Sequence, residues 1–539
     1  MHLEALACGR RRGPAAAVAL FGALLVAGPA LGQTFNVDST ADSVDATPGD
    51  GVAEDILRRT TLRAAIMEAN ALGTGVTINV PAGTYTLTLS GPPEDLAVTG
   101  DLDVSSNIRI FGAGTTSTVI DADEIDRVFD VQVGGTLRLF DMTVTGGDAI
   151  GGNGGGIRNQ SELYLTETLV VENNTGAGGG GVSTSLGRTE ATDCEFRGNT
   201  SGGNGGGISL AGPSGTTPTL TLDRCLVVGN RSDINGGGVS LQKGDAVMIN
   251  TTLSQNSSRL IGGGLHVGGN RSAVLDHCTV VQNTADDENV GGFFGGGIAD
   301  FQGSVSIGHT LVAQNRTPQV NPQNGDGTID SLDYNLFDSI SGFTLTGSTA
   351  NNIEVTDARI GPLADNGGPT RTHALLPDSA AVDAGDPNDP TDEDQRGVAR
   401  PIDGDGVGGA QTDIGAYEFE RPRTVCCFVC DPVPTPPCPD PSGAVGPACT
   451  DGLDQASCEA AGGLFVANAA CNDPDPPCQC EGDIDGDGDT DVFDFSALAA
   501  GFGSGVPDCV GRAAGDLNCD GVVNVFDFGI LVGDFGCGT

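Results

Sequence analysis

One asparagine, returning at nearly even steps, constrains this chain more than anything else in it. The stretches LVVENNT, CEFRGNT, CLVVGNR, TTLSQNS, CTVVQNT and TLVAQNR align on Asn174, Asn199, Asn230, Asn256, Asn283 and Asn315, at steps of 25, 31, 26, 27 and 32 residues. Three positions before each stands an apolar residue: Val171, Phe196, Val227, Leu253, Val280 and Val312. Two further back stand Leu169, Cys194, Cys225, Thr251, Cys278 and Thr310. A spacing of two is the inward alternation of a short strand, whereas a helical repeat would show a period near 3.6. A GGG followed by an aliphatic residue shares the repeat, ending at Ile157, Val182, Ile208, Val239, Leu265 and Ile298. Short strands in repeats of variable length, turned by glycine, predict a mainly β chain folded as a right-handed parallel β-helix. Coils stacked at about 4.8 Å would build six repeats into a rod of roughly 30 Å. The asparagines are expected to form a ladder of stacked amides, and Cys194, Cys225 and Cys278 to be small buried hydrophobes in a core column.

Composition agrees and removes whole classes of function. The 539 residues include 86 Gly, no Trp and 4 Tyr, and carry a formal charge of -46. Such a charge repels nucleic acid and anionic membranes and favours cations. Residues 1–32 read as a secretory signal peptide: Arg10 to Arg12, an apolar run from Ala15 to Ala27, then small Ala30 and Gly32. With no later run of about 20 apolar residues, the mature chain is expected to have no transmembrane segment and to be secreted or held at the cell surface. Twelve cysteines lie between Cys426 and Cys537 without paired CxxC spacing, which predicts a disulfide framework rather than a zinc site.

A solenoid needs covered ends. In residues 33–80, TTLRAAIMEAN places Leu62, Ala65, Ile66 and Ala69 on one helical face, with Thr60 or Thr61 as N-cap. FNVDSTAD followed by DGVAEDILRRTTLRAAIMEANA resembles the CSLREA-type start of bacterial β-helix surface proteins. That pattern carries cysteines flanking the helix entrance; Ala53 and Thr60 stand there instead. The body, 81–420, ends in NGGPTRTHALLPDSAAVDAGD, DQRGVARPIDGDG and TDIGAYEFE. This stretch, Asn366 to Glu420, resembles the closing segment of choice-of-anchor Q proteins and is expected at the other end of the rod. The two resemblances imply a surface or secreted β-helix with a variable C-terminal anchor and no shared reaction.

Parallel β-helices include polysaccharide lyases and glycoside hydrolases, so catalysis is one reading by analogy of fold. The outward column beside the core cysteines is Asp141, Thr168, Asp193, Arg224, Asn250, His277 and His309. Its best constellation is Asp193 as acid or base, Arg224 as charge stabiliser and His277 as proton carrier. Outward positions are polar in any case because they meet water, and the dearth of Trp and Tyr argues against a sugar groove with aromatic walls.

After Phe419 a Cys/Pro-rich linker, 421–480, leads to residues 481–539. There GDIDGDGDTDVFDF and GDLNCDGVVNVFDF repeat 33 residues apart. Calcium takes six to eight hard oxygens, and an EF-hand loop supplies them from positions 1, 3, 5, 7, 9 and 12 with glycine at 6. The first copy offers Asp483, Asp485, Asp487, Asp489, Asp491 and Asp494 around Gly488. The second offers Asp516, Asn518, Asp520, Val522 through its carbonyl, Asn524 and Asp527 around Gly521. Each loop precedes an apolar segment of helical spacing, and neither follows one. This arrangement resembles a type I dockerin, which implies Ca2+ as the folding cofactor and a cohesin-like or cell-envelope protein as partner. The docking positions hold Val492 and Phe493, then Val525 and Phe526, in place of the family's hydroxyl pair. Three readings stand. The chain is a structural, adhesive or carbohydrate-related β-helix attached through the calcium module; or a polysaccharide lyase or glycoside hydrolase carried by it; or a rod that the module only stabilises.

Overall fold

The structure, a computed structural model, describes residues 32–421 except 292–294, 321–322, 390 and 405, together with the backbones of strands Thr424–Phe428, Ala448–Asp451 and Leu464–Ala467. The signal peptide, most of the linker and both aspartate loops, Asp483 to Asp494 and Asp516 to Asp527, lie outside the described residues. The chain divides into two units. One runs to Arg400 and takes in Thr412–Glu418; the other comprises Pro401–Gln411 and the chain from Phe419 onward.

The first unit is a parallel β-helix. A representative coil consists of Val182–Thr184, Arg188–Thr192, Glu195–Arg197 and Thr200–Ser201, and each strand pairs in parallel with its counterpart a repeat away. Repeats of unequal length are absorbed in loops, such as the one between Ile208–Leu210 and Thr219–Asp223. The rod is filled by alternate residues that point inward along each coil, among them Val182, Ala191, Cys194 and Phe196. The three body cysteines are buried free thiols.

The triple glycine is dictated by this stacking. Gly179 has φ +74°, a left-handed backbone that costs an L-residue about 1–2 kcal/mol. A Cβ on Gly180 would lie 2.3 Å from the Thr200 carbonyl oxygen and 2.4 Å from that of Gly206, both backbone atoms of neighbouring strands and turns. One on Gly181 would sit 3.0 Å from the Asn199 amide nitrogen. Each glycine of the triplet therefore answers a different demand.

The ladder is present, and its first step differs by one residue from the sequence reading. ENNT contains two asparagines, and Asn173, not Asn174, is the buried member: its Nδ2 donates to Asn199 Oδ1 at 3.0 Å. Val170 and Thr168 accordingly take the core places expected of Val171 and Leu169. The ladder continues through Asn230, Asn256, Asn283 and Asn315, each amide donating to the next at 2.9–3.0 Å.

At the N-terminal end the helix Leu62–Leu72 is capped by Thr61 and closed by left-handed Gly73. It packs against Leu102–Val104, whose pairing among the described strands is to Phe129–Val131 only. Asn70 serves the unpaired edge: its Nδ2 donates to the Asp103 carbonyl at 2.7 Å and its Oδ1 accepts from Ser105 N at 2.9 Å. The helix is thus a cap in the hydrogen-bonding sense as well as the steric one.

The segment expected at the other end lies elsewhere. The last parallel strand of the rod is Ile353–Glu354. Ile360–Ala364 and Thr372–Leu375 then pair antiparallel, and the chain returns along the flank of earlier coils as a strap. Arg371 meets Glu195 at 2.7 Å, Ser254 Oγ and His373 Nε2 are 2.9 Å apart, and Gly415 N donates to the His309 carbonyl at 2.8 Å. The strap covers a flank whose outward residues, Leu226, Val228, Val281 and Leu311, are buried although they lie outside the rod interior. An apolar outer face of a sheet demands such a cover.

In the second unit Ile402 bridges Gln411, and Thr424–Phe428 lies between Ala448–Asp451 and Leu464–Ala467 in an antiparallel sheet. No helix among the described residues is long and apolar enough to cross a membrane.

Candidate functional site

The column proposed from sequence sits at a left-handed bend that recurs coil after coil, within the strands Thr136–Thr145 and Glu162–Val171 and between two strands from Asp193 onward. Asp141, Glu167, Asp193, Arg224, Asn250, His277 and His309 all have φ between +44° and +57° there. Glu167 holds the place assigned to Thr168, which is buried in the core; this is the same one-residue slip. Left-handed bends put these side chains outward in a row, one coil apart, or about 4.8 Å.

Asp193 and Arg224 are brought together. Arg224 Nε and Nη2 grip the two Asp193 oxygens at 2.9 and 2.8 Å, a bidentate pair that raises the arginine pKa further. Asp141 and Glu167 form a second pair. Their shared hydrogen bond, with some burial and the nearby negative charge, lifts the Glu167 pKa.

His277 stands two coils beyond Arg224 and is fully buried. Its Nε2 lies 2.6 Å from Asp389 Oδ2 of the strap and its Nδ1 3.3 Å from Asp276 Oδ1. Burial alone would raise the Asp389 carboxyl, but the contact with His277 brings it below the usual range. His309 stacks on His277 with centroids 4.4 Å apart and planes at 10°. The three sequence candidates therefore do not converge: Asp193 and Arg224 form one unit, and His277 belongs to the joint between rod and strap.

Two groups merit a test as metal ligands. Asp276, His277 and His309 offer donors within 4.8 Å of one another. Parallel stacked imidazoles, however, send their in-plane lone pairs side by side, whereas a zinc ion needs them to converge at about 2.0–2.1 Å. Asp95, Asp103 and Asp130 supply hard oxygens suited to calcium. Yet Asp103 accepts from Ala97 N at 2.7 Å and Gln132 Nε2 at 2.9 Å, and Asp130 is held by Arg158. Burial raises Asp103 to about 7 and, against the pull of Arg127, neighbouring Asp101 to about 8. Asp103, already supplied with protein donors, is thereby shifted toward its neutral form.

Sequence reasoning missed an open polar cleft of about 550 Å³ on the C-terminal half of the rod, lined by Gln255, Gln282, Gln314, Thr284, Arg316, Asp338 and Thr356. Gln255 Nε2 donates to Gln282 Oε1 at 3.1 Å, and Gln282 Nε2 to Gln314 Oε1 at 3.0 Å. The signal was present in SQN, VQN and AQN, where each glutamine directly precedes a ladder asparagine.

No protein-family model and no curated protein matches the sequence. Two solved structures do. Pectate lyase Pel9A is 13% identical over 72% of this chain and 97% of that one, with a TM-score of 0.39. The A-module of Azotobacter vinelandii mannuronan C-5 epimerase AlgE4 is 15% identical over 60% and 96%, with a TM-score of 0.27. Both likenesses are distant, and the architecture above rests on the strand pairing itself.

Proposed function

We propose that this protein is a secreted or cell-surface β-helix that holds a polysaccharide without cleaving it, attached to a cell-envelope or cohesin-like partner through its C-terminal calcium loops. The observation that carries this reading is the contrast between the strap-covered flank and the open cleft. The strap buries His277, while the amide-lined cleft remains solvent-facing. Attachment is supported by sequence alone, through the paired loops at Asp483 and Asp516.

The experiment incubates the full chain with neutral and acidic polysaccharides and scores retention and product together. Retention without product is expected. Calcium-dependent retention on cell envelopes, lost with a chelator, is expected of the attachment. One observation favours the alternative reading as a lyase or hydrolase: Glu167, hydrogen-bonded to Asp141 close to Asp193 and Arg224, has the raised pKa that a general acid uses. Product that disappears in Glu167→Gln or Asp193→Ala would establish that alternative.

A further inference from the structure

We infer that the glutamine cleft binds a neutral, polyhydroxylated polymer, which deepens the carbohydrate reading above and rests on it. The argument begins with the backbone. The residue just before each ladder asparagine must adopt a left-handed conformation, with φ of 55° at Glu172 and of 63° and 62° at Gly198 and Gly229. Glycine is the relaxed choice at such a position. The next three coils carry Gln255, Gln282 and Gln314 instead, with φ of 57°, 59° and 57°. Three consecutive coils thus bear a backbone strain that glycine would remove, and strain retained in register is a reason to look for a use of the side chains.

Their placement supplies one. The asparagine ladder one residue on is buried and already satisfies the turn, so the glutamines are not needed to pair backbone groups. Gln255 is exposed, and Gln282 and Gln314 are half-buried. Each donor amide spends one of its two N–H bonds on the next glutamine and carries a second. A primary amide presents a donor and an acceptor side by side, the pattern that matches neighbouring hydroxyls of a sugar. Repetition at about 4.8 Å along the rod suits an extended polymer rather than a compact ligand.

Charge selects the class. Among the described residues Arg316 is the one cation lining the cleft, its Nε 3.3 Å from Thr284 Oγ1; Asp338 lines the same cleft, and the protein carries a formal charge of -46. A polyanion gains little locally and is repelled globally. Hydroxyl-rich uncharged chains meet no such penalty, and the polar lining needs no aromatic platform to orient them.

The test is affinity electrophoresis of the full chain through hydroxyethylcellulose, xylan, mannan and polygalacturonate, comparing wild type with the triple variant Gln255→Gly, Gln282→Gly and Gln314→Gly. Glycine relieves the backbone while deleting the amides, so the variant should melt no lower than wild type. Wild type is expected to be retarded by at least one neutral polymer, with Kd at least tenfold weaker in the triple variant. Unchanged retardation of a folded variant would overturn the site while leaving the carbohydrate reading intact. Retardation by polygalacturonate alone would overturn the neutral class. No retardation of wild type by any polymer would remove the carbohydrate reading as well.

Discussion

Two amide ladders run along the same coils, one residue apart, and they have opposite consequences. In the buried one, Asn256 Oδ1 accepts from both Asn230 N and Asn230 Nδ2, while its own Nδ2 donates to Asn283 Oδ1 and the Val227 carbonyl. Every polar atom is used, and the turn depends on it. In the outer one, Gln255, Gln282 and Gln314 link to one another but bear no backbone duty. The same functional group is architecture where water is excluded and surface where it is not.

This contrast is open to attack by substitution, beginning with the largest effect. Asn256→Ala should cost about 4 kcal/mol or more, because buried donors and acceptors on both neighbouring coils lose their partner at about 1–3 kcal/mol each; denaturant unfolding measures it. Gly180→Ala should cost about 3 kcal/mol, since the new methyl meets only backbone. Gln282→Gly, removing an amide from the outer ladder, should instead leave stability unchanged or raise it by about 1 kcal/mol. A loss comparable to that of Asn256→Ala would erase the distinction between the ladders.

The strap gives a pH-dependent comparison of its own. Burial, only partly offset by the Gly361 carbonyl, lowers the pKa of His373. Asp389, although burial opposes it, is also lowered through its contact with His277 of the rod. Both groups bind fewer protons docked than free. Docking is therefore complete above the free histidine value of about 6.5 and weakens as pH falls, first through His373 and then, below about 4, through Asp389. Hydrogen exchange at Gly415 and Ala416, corrected for intrinsic rate, should quicken between pH 7 and 5, and His373→Gln should flatten that step. The Asp101 and Asp103 cluster has the opposite sign. Its raised carboxyls favour the folded state at low pH and cost stability as pH rises from about 4 toward 8.

The rod was legible in sequence because its determinants repeat: an asparagine, an apolar pair and a triple glycine recur in register. The first coil slipped because Asn173 and Asn174 are adjacent, and only burial distinguishes them. The strap was not legible as a flank cover because its partners are remote and aperiodic; His373 meets Ser254 across 119 residues. Its trace was nevertheless there. CLVV and CTVV place apolar residues on both faces of a strand, more than one interior can bury. The glutamines were not legible as a site because a single polar residue beside each ladder asparagine is equally what a solvent-facing turn position carries. As for the constellation, spacing placed Asp193 and Arg224 on adjacent coils correctly, but nothing in it could say that Asp389 would seal His277.

The most direct measurement is hydrogen exchange of the full chain with and without a saturating neutral polysaccharide to which it is retained. The account predicts added protection in the turns bearing Gln255, Gln282 and Gln314, and none at the Asp193–Arg224 bend or in the strap. Protection confined to that bend, or opening of the strap on binding, would contradict it and place the working surface on the strap-covered flank.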